Sequence, residues 1–424
     1  MQAVILVITY YFPPSGGSGV QRWLKFCKYL PSFGVQPIVL TVDPNNASYP
    51  QVDNSLLKDI PANLQVVRTK TKEILQLYKK VSPTKELPHT GFANQSKPSF
   101  MQQCMKFIRG NFFIPDPRKG WCRYAYSEAC RLIRDEHIDT IITTSPPHSA
   151  QLIGLRLKKR FPTLRWIADL RDPWTDLYTN KDLYQTYLAR KYNAYLERKV
   201  LETADEVITV SPSCANTFAS KVKRNPIHVI TNGFDENDFK DIVTQPHAKR
   251  TIAYVGALSP LYEFDTFVEA IRLLPKQVKD QIKIQMVGGA FANAVNQLQS
   301  LGVETEWIDY VQHKEAVTYM LNADMLLLLF PNQEDNKGIL TGKLFEYMAT
   351  HNPILMIGFT DGDAAKILRQ YEQDGVYAFG EADKVAQFII RSIDKYPAVH
   401  ADFAQQFSRK KLTEVLSTII LPVV

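Results

Sequence analysis

The stretch AVILVITYYFPPSGGSGVQR, residues 3–22, decides how the rest of the chain is read. An apolar, β-branched run leads into a turn of Pro, Ser and Gly, and helical spacing begins at once in GVQRWLKFCKYLPSFG. Strand, tight turn, helix is the opening unit of a parallel α/β sheet. A glycine-rich turn at the mouth of a first strand lets backbone N–H groups approach a phosphate or a sugar. Glycine is also the default wherever φ must be positive, so Gly16, Gly17 and Gly19 fit a plain tight turn as well. The turn lacks the G-x-x-x-x-G-K-[ST] pattern, which excludes a P-loop. Arg22 stands where the third glycine of G-x-G-x-x-G would fall, which disfavours a dinucleotide dehydrogenase.

Outward from this stretch the alternation continues. QPIVLTV, LQVVRT, DTIITTS, RWIADL, DEVITVS and IHVITNG read as strands, with helices such as SAQLIGLRLKKRF and DLYQTYLARKYNAYLERKVLETA between them. Short apolar strands alternating with helices imply a parallel sheet covered on both faces. The polar stretch FDENDFKDIVTQPHAKR has no periodicity, and the linker is placed at residues 236–249. A second α/β set runs from TIAYVGA to VYAFG, and the last helical stretch is HADFAQQFSRKKLTEVLSTII. The expected fold is α/β, with two Rossmann-like domains facing a central cleft: residues 1–235 and 250–395, with 396–424 following. Ligands in such sheets sit beyond the carboxyl ends of the strands.

Bulk properties agree with two domains, since 424 residues exceed one ordinary core. No uninterrupted apolar run reaches about 18 residues, so no transmembrane helix is expected. Residues 1–9 read as a first strand rather than a signal peptide, having no basic start and no small-residue cleavage site. The five cysteines are irregularly spaced without a CxxC pair, which suits reduced cytoplasmic thiols and offers no zinc site. Between Lys70 and Arg123, eleven Lys and Arg stand against three acids, although the whole chain carries only +7. Phe100, Met101, Phe107, Ile108, Phe112 and Trp121 are interleaved with them. This 70–123 insertion suits a peripheral contact with an anionic membrane, or else an ordinary solvated face. No nucleic-acid motif appears, so nucleic acid is not an expected partner.

Three further constellations carry polar chemistry. In TTSPPHSAQ, His148 follows a strand, where a neutral imidazole can meet a sugar hydroxyl or leaving-group oxygen, or can merely cap a helix. In ADLRDPWTD, Asp169, Arg171 and Asp172 crowd another strand end. They can accept hydroxyl hydrogen bonds and hold an anion, or form an Arg–Asp pair that fixes a loop. In NKGILTGKLFEYMATHNPIL, Thr341 and Gly342 read as a helix entry, with Lys343 and Glu346 on roughly one face. The helix start and Lys343 favour a diphosphate, and Glu346 can hold the two hydroxyls of a ribose.

Taken in order, FPPSGGSGVQR, SPPHS, ADLRDPW, ERKVLETADEVITVS, VITNGFDENDF, YVGALSP and TGKLFEYMATHNPIL resemble a family-4 glycosyltransferase of the GT-B fold across nearly the whole chain. The resemblance implies transfer of a sugar from a nucleotide sugar to a glycan or lipid-linked acceptor, with retention of anomeric configuration and no metal or other cofactor. It implies that the final helix returns to the N-terminal domain. It places Glu346 on the ribose, His148 near the transferred sugar, Gly16 and Gly17 near donor phosphate and acceptor, and Gly256 against the diphosphate. Gly338, Thr341 and Gly342 join the donor-binding set. Gly19, Arg22, Asp169, Arg171 and Asp172 form the acceptor or cleft set, and His148 and Lys343 the catalytic one.

The sequence departs from the family pattern at three places. The first Glu of the E-x7-E pair is Gly338, which leaves Asp335 or backbone N–H groups at 338–340 to meet the sugar. The Arg expected after the C-domain glycine is Ala257, and LYEFD lacks the Lys expected there. Lys343 and its helix start would then carry more of the leaving group's charge, with Arg22 or Arg171 contributing if the cleft closes. The expected setting is the cytoplasm, at the inner face of a membrane, in cell-surface polysaccharide or related glycan synthesis. Two other readings remain: a non-catalytic nucleotide- or carbohydrate-binding protein of this fold, and a nucleotide-sugar epimerase.

Overall fold

The computed structural model describes residues 2–72, 100–223, 226–244, 248–258, 261–289, 292–333, 336–394 and 398–421. The chain divides into two compact units. The first runs to Thr231 and takes back Leu412 onward, and the second spans Asn232–Lys411. Part of the 70–123 insertion, and Asp335, lie outside the described residues.

The first unit carries seven parallel strands: β1 (Ala3–Ile8), β2 (Val35–Val42), β3 (Gln65–Thr69), β4 (Thr140–Ser145), β5 (Arg165–Leu170), β6 (Glu206–Thr209) and β7 (Ile227–Val229). Their order is β3-β2-β1-β4-β5-β6-β7. Strand side chains alternate between faces. Thus Leu6 and Ile8 join one core cluster with Trp121 and Trp166, while Ile5 and Val7 join another with Trp23 and Phe26. Covering helices include Ser18–Tyr29, Phe100–Phe112, Cys122–Asp135, Ser149–Arg160 and Tyr187–Thr203.

The second unit repeats the plan with six parallel strands: β8 (Arg250–Val255), β9 (Ile282–Val287), β10 (Glu304–Ile308), β11 (Met325–Leu329), β12 (Ile354–Ile357) and β13 (Val376–Tyr377), ordered β10-β9-β8-β11-β12-β13. Ile252 and Tyr254 pack on one face, Ala253 and Val255 on the other. In both sheets the strand order reverses once, at β1/β4 and at β8/β11. Loops at the carboxyl ends of those pairs are where doubly wound sheets take ligands.

Several elements differ from the sequence reading. The helix expected over 182–204 starts only at Tyr187, because Tyr184 adopts φ 44° and Thr186 caps Ala189 N–H at 3.3 Å. Helices Asp363–Tyr371 and Ala382–Asp394 were not anticipated. The first buries Ala364, Ala365, Leu368 and Tyr371, and Val385, Phe388 and Ile389 of the second likewise form a helical stripe. The final stretch is two helices, Ala401–Gln405 and Arg409–Ile420. Between them Phe234 N–H donates to the Phe407 carbonyl at 3.2 Å and Arg409 N–H to the Phe234 carbonyl at 2.7 Å, and this strand-like pairing interrupts the helix. Leu412, Leu416 and Ile420, four residues apart, pack in the Ile5/Trp23 core. Arg165 donates to the carbonyls of Ile419 and Ile420 at 2.6 and 2.7 Å, closing the helix end.

One polar network runs through the first unit. The Asp169 carboxylate, 0 % exposed, accepts from Arg22 Nη2 at 3.1 Å and Nε at 3.3 Å, from Trp23 Nε1 at 2.7 Å and from Thr144 Oγ1 at 2.8 Å. Arg22, also 0 % exposed, gives Nη1 to the carbonyls of Ile230 and Thr231 at 2.9 Å each. A buried ion pair broken on one side leaves the other charge uncompensated. Asp169→Asn is therefore expected to destabilise the first unit by about 3–5 kcal/mol in urea unfolding. An unchanged midpoint would show that the network does not hold the unit together.

Candidate functional site

The second unit's site grows from the β8/β11 pair. β8 ends at Val255, and the next residue, Gly256, has φ 130°. That φ favours glycine, and a Cβ there would lie 2.3 Å from Lys343 Cε, in the space the lysine end occupies. The chain after β11 leads through Gly338 to the Gly342–Ala349 helix. Tyr347 anchors this helix to the strand end: its hydroxyl accepts from Val255 N–H at 2.9 Å and donates to the Val255 carbonyl at 3.3 Å. Thr341 holds the N-cap position without a side-chain cap bond, and its buried Oγ1 has no hydrogen-bond partner among the described residues. Nearby Asn336, 2 % exposed, leaves its Nδ2 likewise unpartnered. The first N–H groups of a helix have no acceptor inside it, so the start at Gly342 is a place for an anion.

Lys343 leans back over Gly256. Its Nζ donates to Tyr254 Oη at 2.7 Å and lies 4.2 Å from the centre of that ring. Enclosure lowers the Lys343 amine to about 7, opposed by the Glu346 carboxylate. Glu346, one turn on, has a side chain 23 % exposed and lies 3.9 Å from His313 Nε2, which in turn is 3.3 Å from Asp238 Oδ2. Burial raises the Glu346 carboxyl, and Asp238 adds to that, while His313, Arg409 and Lys343 oppose it. Tyr254, His313 and Asp238 were missed by sequence reasoning. Tyr254 reads as an ordinary strand residue and Asp238 lies in the stretch read as linker, so only the fold reveals their neighbours.

The first unit's loops gather differently. Arg171, 8 % exposed, spends its guanidinium on carbonyls: Nε on Ser145 at 2.9 Å, Nη1 on Gly19 at 2.6 Å and Nη2 on Pro146 at 3.3 Å. A Cβ on Gly19 would come within 3.2 Å of Nη1, so Gly19 permits this approach. Gly16 N–H is committed to the Gln51 carbonyl at 3.0 Å. Of the expected acceptor or cleft set, Arg22, Asp169 and Arg171 thus have protein partners in this structure, as does the N–H of Gly16. These groups are hydrogen-bonded within the protein and act as loop fixings. Gly17 sits at the N-cap of the Ser18–Tyr29 helix, with open space where a side chain would be.

His148 remains available. Its ring stacks on Trp174 with centroids 4.9 Å apart and an interplanar angle of 8°, and its buried Nδ1 has no partner among the described residues. Burial, reinforced by Arg171, lowers the imidazole to about 3, so it is neutral at ordinary pH. Burial also raises the Asp172 carboxyl, against the pull of Arg171. Among the described residues, no group of three or more His, Cys, Asp or Glu is placed to hold a metal ion.

The family described as Glycosyltransferase Family 4 matches residues 89–238, and Glycosyl transferases group 1 matches residues 235–409. The chain belongs to the family-4-like GT-B glycosyltransferases. Solved structures agree in fold. Sucrose-phosphate synthase from Thermosynechococcus elongatus is similar at 14% identity and TM-score 0.58, covering 99% of this chain and 94% of that one. The apo lipopolysaccharide outer core galactosyltransferase WaaB is similar at 12% identity and TM-score 0.60, covering 99% of each chain. A TarM variant from S. aureus, solved with Fondaparinux, α-GlcNAc-glycerol and UDP, is similar at 10% identity and TM-score 0.54, covering 98% of this chain and 96% of that one. No curated protein sequence matches this one.

The glycosyltransferase's His148 has a direct pH consequence. The unfolded chain takes up a proton near the ordinary His value of about 6.5, whereas the folded imidazole does so only near 3. His148 thus contributes stability above about pH 6.5 that is lost progressively as pH falls toward 3. In thermal unfolding across that window, His148→Gln should flatten the decline; a decline equal to wild type would refute the buried neutral state.

Proposed function

We propose that this glycosyltransferase moves a sugar from a nucleotide-sugar donor to a glycan or lipid-linked acceptor in cell-surface polysaccharide or related glycan synthesis, with retention and without a metal. The observation that carries the reading is the second unit's arrangement: a helix start at Gly342, Lys343 over Gly256, and Glu346 one turn further on. The helix N-terminus and Lys343 receive the diphosphate, and Glu346 accepts from the ribose hydroxyls. Gly338 and Thr341 line the approach to that helix, where the unpartnered Oγ1 of Thr341 and Nδ2 of Asn336 can meet sugar or phosphate oxygens.

In the reaction the bond between the anomeric carbon and the β-phosphate oxygen breaks. Negative charge grows on the phosphate, where Lys343 and the helix start stabilise it. The acceptor oxygen bonds the anomeric carbon from the leaving group's side and its proton passes to the phosphate oxygen. His148, neutral and held flat on Trp174, serves as a hydrogen-bonding group for the transferred sugar, and Gly17 and Asp172 serve the acceptor.

The nucleotide is tested by thermal shift with UDP, GDP, ADP, CMP and dTDP. Stabilisation by one of them, lost in Glu346→Ala, is expected; no stabilisation by any at millimolar concentration would overturn the donor assignment and favour a non-catalytic protein. Lys343→Ala should lower turnover by about 10²–10³-fold, as loss of one preorganised charge-stabilising group does. Equal rates would remove Lys343 from the mechanism.

We further propose peripheral contact with an anionic membrane. Phe100, Met101 and Phe112 on the Phe100–Phe112 helix are 82, 70 and 66 % exposed, beside Lys106 and Arg109, and the helix carries no acid. Apolar insertion together with basic charge is the pairing that membrane surfaces reward. No helix among the described residues is long and apolar enough to cross a membrane. Co-sedimentation with phosphatidylglycerol vesicles, but not with phosphatidylcholine vesicles, is expected. The double variant Phe100→Ser, Phe112→Ser should abolish it, and equal sedimentation with both lipids would refute the charge component.

A further inference from the structure

Lys343 holds an unusual position for a group that is to meet an anion. Its amine fills the notch left by the missing side chain of Gly256, and its Nζ donates to Tyr254 Oη at 2.7 Å. Tyr254 Oη donates its own proton to the Ala257 carbonyl at 2.9 Å, so toward Lys343 it can only accept. No carboxylate pairs with Nζ among the described residues. The groups that face it are Tyr254 from β8, Tyr262 from the following loop with its ring centre 5.8 Å away, and Glu346 from its own helix. Glu346 is in turn faced by His313, Asp238 and Arg409. An enclosed amine with one neutral acceptor is poorly compensated as an ammonium.

We propose that Tyr254 is a positioning residue for Lys343, holding its amine in the Gly256 notch until an entering diphosphate takes over the hydrogen bond and draws a proton onto the amine. The inference rests on the donor-binding reading above and adds a conformational and protonic step to it. The shift of the amine to about 7 agrees with the geometry: above that pH the resting site is mostly uncharged, and binding of a polyanion restores the charge. The loss of cations at Ala257 and in LYEFD gives this step weight, because no cation at those positions substitutes for Lys343.

The test is calorimetric titration with inorganic pyrophosphate, in two buffers of different ionisation enthalpy, on wild type, Tyr254→Phe and Lys343→Met. The Tyr254 ring is 1 % exposed and phenylalanine preserves its packing. At pH 6, where the amine is mostly protonated, Tyr254→Phe has no bond to break and should bind pyrophosphate about tenfold more tightly, the scale of a hydrogen bond to a charged group. At pH 8.5, wild type should take up close to one proton more per pyrophosphate than Lys343→Met. Equal or weaker binding by Tyr254→Phe, or equal proton uptake by wild type and Lys343→Met, overturns the inference and leaves the donor reading standing. Failure of wild type to bind pyrophosphate, together with no thermal shift from the five nucleotides, overturns the donor reading and the inference with it. The proton measurement on wild type and Lys343→Met keeps the inference open to refutation even if Tyr254→Phe folds poorly.

Discussion

Asp169 accepts four hydrogen bonds in a place closed to water, and the carboxyl edge of the first sheet is arranged around it. A carboxylate withdrawn from water is tolerable only with charge and donors directed at it. Arg22 supplies the charge, and Trp23 and Thr144 supply further donors. The first helix is thereby tied to β4 and β5, and through the Ile230 and Thr231 carbonyls to the end of β7. Arg171, two residues beyond Asp169, then fastens the glycine turn and the Ser145–Pro146 loop to one another. His148 and Trp174 stack on this fixed base, and the imidazole Nδ1 has no hydrogen-bond partner among the described residues.

In the second unit Tyr347 fastens the Gly342–Ala349 helix to β8, and at the helix start Thr341 Oγ1 and Asn336 Nδ2 lack partners among the described residues, where Lys343 has only a neutral one. Buried polar groups without partners cost free energy unless a ligand or water completes them. In the first unit Arg22 and Arg171 are held by protein carbonyls and a carboxylate, whereas in the second Lys343 has a neutral hydroxyl as its acceptor. That contrast sets the two groups of strand-end cations apart.

It also changes the meaning of the glycines. Gly256 leaves room for a lysine that comes from another element, and Gly19 leaves room for an arginine. Both are close-approach positions, yet the arginine is spent on loop carbonyls while the lysine keeps a neutral partner that an anion can displace. A glycine-rich turn therefore says that something comes near the backbone, and the identity of that group comes from elsewhere in the fold.

The α/β class, the repeated sheet plan and the placing of Lys343 and Glu346 on one helix were legible in the sequence, because strand and helix periods are local and their apolar residues are frequent. The helix Asp363–Tyr371 was missed although Ala364, Leu368 and Tyr371 share a face, and the break before Arg409 depends on Phe234, far away in sequence. The sequence by itself determined which residue types stand at the strand ends. Only the tertiary structure decided which of them are free to act. Arg22, Asp169 and Arg171 look in sequence like ligand-binding groups, and long-range hydrogen bonds consume them; Tyr254 looks like core, and one hydroxyl places it under Lys343. Whether a charge is spent depends on partners many residues away, and spacing along the chain carries no record of them.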